Sequence, residues 1–280
     1  MNKEFLHKVW PVIKSLIPPA LLKILRKYKD SYGCFGNYAT WEDALKDSSG
    51  YNSPRILEKV KNSTLLVKSG KAKYERDSVI YDSFDFSYPF ISGLLLAAAA
   101  NDGELRVIDY GGSLGTTYFL HRQFFRDLKR VNWNVVEQPH FVDCGRENVE
   151  DEIIKFHYSI DECLKQTQPS VFILSSVLQY LKEPYSFLER IAEYGFPFLL
   201  FDRTAFMLSD FQERLTVQKV HPMFYEASYP AWFLKKNAFM NILNGYELVF
   251  EFQASEQDTV WSKVDGRFMG FFFRKKLHFS

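Results

Sequence analysis

The chain is poor in several things that would have narrowed its function, and each shortage excludes something. Cys34, Cys144 and Cys163 are its only cysteines and they are widely scattered. No zinc-type pair exists, so a thiolate metal centre is not expected and a reducing compartment is. No apolar run approaches the ~20 residues that span a bilayer, residues 93–100 being far too short. Pro11, Pro18, Pro19 and interspersed charges break the apolar residues near the start, where a secretion signal needs a continuous hydrophobic region. A cytoplasmic location is the resulting expectation. Charge of one sign is also scarce, the formal net charge being +1, which gives no general attraction to nucleic acid. Internal repeats and low-complexity tracts are missing as well. What the chain does have is 280 residues, 46% of them hydrophobic and 17% aromatic, enough to bury a substantial core.

The most informative stretch is residues 107–116, Val-Ile-Asp-Tyr-Gly-Gly-Ser-Leu-Gly-Thr. It has the pattern of a buried strand entering a glycine-rich turn that opens a helix. Glycines let the backbone turn tightly and approach a ligand, and the free N–H groups of a helix start can hydrogen-bond it. A lone glycine turn is weak evidence. Asp109 before the turn and Glu137 at the end of the next expected strand sharpen it. A pyrophosphate would bring negative charge against Asp109, which argues against a dinucleotide. An acid there suits the cationic amino group of a methionine moiety, directly or through water, and Glu137 suits a ribose diol.

At these residues the chain resembles the class I adenosylmethionine-dependent methyltransferases. Asp109-Tyr-Gly111-Gly112-Ser113-Leu-Gly115 is similar to the family's D/E-x-G-x-G-x-G motif, with Ser113 at the middle glycine and an extra glycine before it. Glu137 matches the second motif. Residues 170–181 resemble the strand-four segment, which makes Ser175, Ser176 and Gln179 cofactor neighbours by resemblance. The likeness covers about residues 85–275. A narrower one, carried by residues 36–44, 49–51, 74–78 and 201–204, is to a bacterial methyltransferase family among surface-polysaccharide (O-antigen and capsule) assembly proteins. That setting implies a glycan or glycan-phosphate acceptor, lipid-linked in some cases.

Alternating strand and helix patterns give a Rossmann-like, doubly wound α/β sheet. Strands are expected at residues 105–110, 132–137, 153–158, 170–175 and 198–202, a long connection at 204–230, a helix at about 231–243, and an antiparallel hairpin at 246–252 and 266–273. The added hairpin gives the seven-stranded arrangement of the family resembled. A mainly helical N-terminal appendage over residues 1–84 precedes a catalytic domain at 85–280. Residues 1–29 carry seven cations against Glu4 alone, interleaved with apolar residues, a pattern that suits either peripheral contact with anionic lipid at the inner membrane face or a helix pair with a solvated face.

The acceptor region is expected around Asp202, Arg203, His221 and Tyr229, because ligands collect at the carboxyl ends of parallel strands. An imidazole suits proton transfer near neutrality, so His221 is the preferred base, although His221-Pro222 also fits simple loop shaping. Arg203 fits either an anionic acceptor or a local carboxylate. Glu75, Arg76 and Asp77 form a polar run that suits a lid or a salt-bridged surface turn. Two other functions stay open: a methyltransferase-like binding protein without catalysis, since fold does not establish activity, and a nicotinamide-dependent oxidoreductase. The second is weakened because no tyrosine is followed four residues later by lysine, the pair that short-chain dehydrogenases use.

Overall fold

The computed structural model describes residues 31–50, 54–209, 211–254 and 264–277. The basic run at 1–29 and Tyr51 lie outside the described residues. In chain order the elements are β1 (Gly33–Tyr38), α1 (Trp41–Lys46), α2 (Pro54–Lys68), β2 (Tyr74–Arg76), β3 (Val79–Tyr81), α3 (Tyr88–Ala99), β4 (Glu104–Tyr110), α4 (Thr116–His121), β5 (Arg130–Val136), α5 (Pro139–Asn148), β6 (Ile154–His157), α6 (Ile160–Leu164), β7 (Val171–Ser175), α7 (Pro184–Tyr194), β8 (Phe198–Met207), β9 (Arg214–Lys219), β10 (Ser228–Phe233), α8 (Lys236–Ile242), β11 (Tyr246–Gln253) and β12 (Gly266–Lys275).

The main sheet has seven strands in the order β11-β12-β8-β7-β4-β5-β6. The five strands β6, β5, β4, β7 and β8 run parallel, β12 pairs antiparallel with β8, and β11 pairs antiparallel with β12 at the edge. Parallel strands covered on both faces show as continuous apolar runs, and β7, Val-Phe-Ile-Leu, is buried throughout. Successive residues feed opposite layers. Val107, Val135, Ile173 and Leu200 pack in one core with Phe90, Leu94 and Phe141, while Ile108, Val136, Phe172 and Leu199 pack in another with Leu188, Ile191 and Phe239. Helices therefore cover both faces of one sheet. Gly93 lets α3 lie close on β12: a Cβ there would stand 2.9 Å from Phe272.

Three local expectations differ. β8 extends past Asp202 to Met207, because its second half pairs with β12 and bridges Leu234. The connection at 204–230 contains β9 and part of β10, which join β1 in a separate three-stranded antiparallel sheet. The helix expected from residue 231 begins only at Lys236, since Ala231 and Phe233 are buried strand positions of β10. In each case a strand pairing overrides a local pattern, distant in sequence for β8 and for β1 with β9, and between neighbours for β10 with β9. The N-terminal region is correspondingly mixed: α1 and α2 are helical, β1 pairs with β9, and Val60 and Val67 share a core with Val107 and Trp133.

Candidate functional site

Strand order reverses at β4, so the turn after it lies at the topological switch point, where open α/β sheets bind ligands beyond the carboxyl ends of their strands. The turn is held by specific close approaches. Gly111 and Gly115 have φ of +71° and +87°, and Cβ atoms on them would lie 2.6 Å from Val177 and 2.2 Å from Ile154. A Cβ on Gly112 would meet the Asp109 carboxylate at 2.6 Å. Ser113, at the position of a family glycine, adopts φ +55°, a conformation that side chains other than glycine's rarely take. Its N–H donates to Glu137 Oε1 at 3.3 Å, and Gln138 N–H donates to Glu137 Oε2 at 2.6 Å.

Asp109 lies beneath this turn, 1% exposed, with its Oδ2 accepting from Trp133 Nε1 at 3.1 Å. Burial pushes its pKa up to about 6, against hydrogen bonds from Trp133 and Thr117 and the charge of Arg203. Asp109 is thus buried against Gly112, out of direct reach of a ligand in this conformation. Glu137 is also raised, by burial first.

Over the turn sits the β2–β3 hairpin. Asp77 and Ser78 have φ of +52° and +66°, the two successive positive values of a type I′ turn. Glu75, 3% exposed, accepts from Thr116 Oγ1 at 2.8 Å and from Ser78 N–H at 2.7 Å. Burial lifts its pKa to about 7. Arg76 pairs with Asp77 at 3.7 Å. Tyr74 packs edge-on against Phe86, and Phe86 against Phe124, so the hairpin rests on an aromatic base.

The ends of β7 and β8 form the neighbouring wall. Asp202 Oδ2 accepts from Ser175 Oγ at 3.0 Å and from Arg203 Nε at 3.3 Å, and Arg203 also donates to Ser175 Oγ at 3.2 Å. The Arg203 guanidinium is thus engaged by a local carboxylate. Arg203 itself has φ +50°, and the β8–β12 register gains one residue on β8 there, between the Thr204 and Phe201 pairings; such a bulge re-aims a side chain. Ser176, at φ +58°, donates its N–H to Asp202 O at 2.8 Å. Gln179, 1% exposed, donates to Arg203 O at 3.0 Å and Ser176 Oγ at 3.3 Å.

Tyr229 on β10 packs edge-on against Tyr180, whose hydroxyl donates to Gln218 at 2.9 Å. Burial raises the Tyr229 pKa far above its usual value, so it stays a neutral hydroxyl. His221 lies in the β9–β10 loop, where Nδ1 accepts from Met223 N–H at 3.1 Å and the ring meets Tyr32 edge-on. The turn, Glu137, Ser175, Ser176, Gln179, Asp202, Arg203 and the Glu75 hairpin are joined by hydrogen bonds or by charge, and His221 contacts Met223 in its own loop and Tyr32 ahead of β1. Sequence reasoning missed Thr116, Trp133, Tyr180 and Gln218. Thr116 had a signal, being the first residue past Gly115; the others carry none.

No family model matches this chain, and no curated protein sequence matches it. Solved structures of similar shape exist. The N-terminal domain of EvdMO1 with SAH and D-fucose is 11% identical, covers 79% of this chain and 96% of that one, and gives a TM-score of 0.46. The glycopeptide N-methyltransferase MtfA complexed with SAM is 9% identical over 70% of this chain and 98% of that one, with a TM-score of 0.45. The [4+2]-cyclase SpnF is 12% identical over 80% and 95%, also at 0.45. The strand order and the antiparallel β12 are the class I methyltransferase fold. Among the described residues no helix is long and apolar enough to cross a membrane, and no group of three His, Cys, Asp or Glu is placed to hold a metal.

Proposed function

We propose that the chain is an adenosylmethionine-dependent methyltransferase that methylates an oxygen of a sugar or glycan phosphate in surface-polysaccharide assembly. The observation that carries the cofactor reading is Glu137, fixed at the end of β5 by the N–H groups of Ser113 and Gln138. Each carboxylate oxygen keeps a further lone pair, so the pair can accept two vicinal hydroxyls. Asp109 and Glu137 place two acidic groups at one turn, which favours a cationic ligand and opposes a pyrophosphate.

Bound adenosylmethionine would supply a methyl group on a sulfonium leaving group. The chain's part is then chiefly alignment and exclusion of water. The Glu75 hairpin covers the turn, and Gln179 holds the Arg203 carbonyl and Ser176 in place. Asp202 supports a hydroxyl-bearing acceptor, because its carboxylate lies beside Ser175 at the strand ends and can accept a proton or a hydrogen bond. Arg203, shared between Asp202 and Ser175, puts positive charge at the strand ends where an anionic acceptor would lie. His221 serves this reading best as a loop-shaping residue. The acceptor class itself is supported by the resemblance of residues 36–44, 74–78 and 201–204.

The test is calorimetric titration with adenosylmethionine, adenosylhomocysteine and NAD in parallel. Saturable binding of the first two and not of NAD is expected; binding of NAD alone overturns the proposal, and binding of none favours a non-catalytic binding protein. Peripheral membrane contact through residues 1–29 belongs to the same proposal: deleting them should weaken binding to anionic vesicles, and unchanged binding would remove it.

A further inference from the structure

A second concavity opens at the other end of the sheet, a cavity of about 440 Å³ lined by Arg122, Arg126, Lys129 and Arg130 over a floor that includes Tyr118 and Phe125. A smaller cavity of about 170 Å³ shares Arg122 and Arg126 and adds Lys73. Arg130 begins β5 and Glu137 follows its end, so this groove lies roughly 20 Å from the cofactor turn, the length of a seven-residue strand.

The charge is concentrated where the fold gains little from it. Residues 122–130 hold four cations and one acid, Asp127, in a protein of net charge +1. Four like charges lining one cavity repel one another. Arg122 is positioned: its guanidinium donates to Val67 O at 3.0 Å and lies over the Phe119 ring. Arg126, Lys129 and Arg130 are exposed, and among the described residues no ion pair or side-chain hydrogen bond engages them. Guanidinium forks match phosphate geometry, the floor suits a planar or apolar portion, and the volume is that of a small-molecule site. Nucleic acid fits less well, since a neutral chain offers no extended basic face.

We propose that this groove binds a phosphate-bearing anion, separately from the methyl-transfer site. The proposal does not rest on the methyltransferase reading. It is tested on the full chain, saturated with adenosylhomocysteine so that the cofactor turn is occupied if it binds at all, by titration with pyrophosphate, uridine diphosphate and, in a separate arm, phosphatidylcholine vesicles with and without phosphatidylglycerol. The comparison is with the R126Q/R130Q double variant, whose exposed positions should leave the melting temperature unchanged. Saturable binding weakened about tenfold or more in the variant is expected, the effect of losing one charge-assisted hydrogen bond or more. Sensitivity in the soluble arm identifies a free phosphate compound, and sensitivity in the vesicle arm alone identifies a lipid headgroup. Equal binding by the parent and the variant, or no binding of any probe, overturns it.

Discussion

Glu75 and Glu137 are both carboxylates made costly by burial, and they answer to different experiments. Glu137 accepts from Gln138 N–H beside it and from Ser113 N–H across in the glycine turn, so Glu137→Ala is expected to weaken adenosylmethionine binding about tenfold or more and to cost no more than about 1–3 kcal/mol of stability. Calorimetry and a melt on the same sample check both halves; unchanged affinity removes the ribose assignment. Glu75 has a folded pKa of about 7, above its usual 4.5. A carboxyl raised in this way stabilises the fold in its protonated form. Its contribution is full below about pH 4.5 and is lost as pH rises through about 7. Glu75→Gln stays uncharged, so its stability relative to the parent should rise between those values, by at most about 3–4 kcal/mol, and then level off. Urea midpoints from pH 4.5 to 8 provide the check, and parallel profiles would refute it. Asp109 has the same sign near pH 6 and cancels in the comparison. The acids at 109 and 137 were legible in the sequence because they flank a glycine turn. The burial that sets their protonation was not, since it depends on Trp133 and on strands paired from far along the chain.

At the scale of elements, the β2–β3 hairpin is fastened to the start of α4 by the Glu75–Thr116 hydrogen bond. Thr116→Val keeps the shape and removes the donor. Hydrogen exchange of residues 74–81 should become faster in this variant while β4 and β5 keep their protection; unchanged exchange would mean that the aromatic base alone holds the hairpin. The turn itself tolerates little. Gly115→Ala must adopt φ +87° and crowd Ile154, and a loss of roughly 1–3 kcal/mol is expected in denaturant unfolding. Parallel strands β4 to β8 were legible from their apolar runs. Strands β9 and β10 were not, because Leu215 and Val217 pack with Ala44 and pair with Tyr38 and Phe35, far back along the chain, and with Trp232 and Pro230 of β10.

For the whole molecule, the core crosses the boundary between residues 84 and 85. Ile56, Val60 and Val67 pack with Phe90, Val107 and Trp133, and β1 covers one edge of β9. A chain beginning at residue 85 should therefore lose its cooperative thermal transition; a sharp melt near the parent's would show an independently stable domain. The sequence by itself determined the doubly wound sheet, its closing hairpin and the glycine turn between two acids, because period, turn chemistry and charge are local properties. Tertiary structure decided that Arg203 faces Asp202, that Glu75 seals the turn and that four cations share one groove at the far end of the sheet. Those outcomes depend on a bulge that sets where neighbouring side chains point, on a contact between distant elements and on packing that leaves a cavity open, none of which is a property of the local pattern.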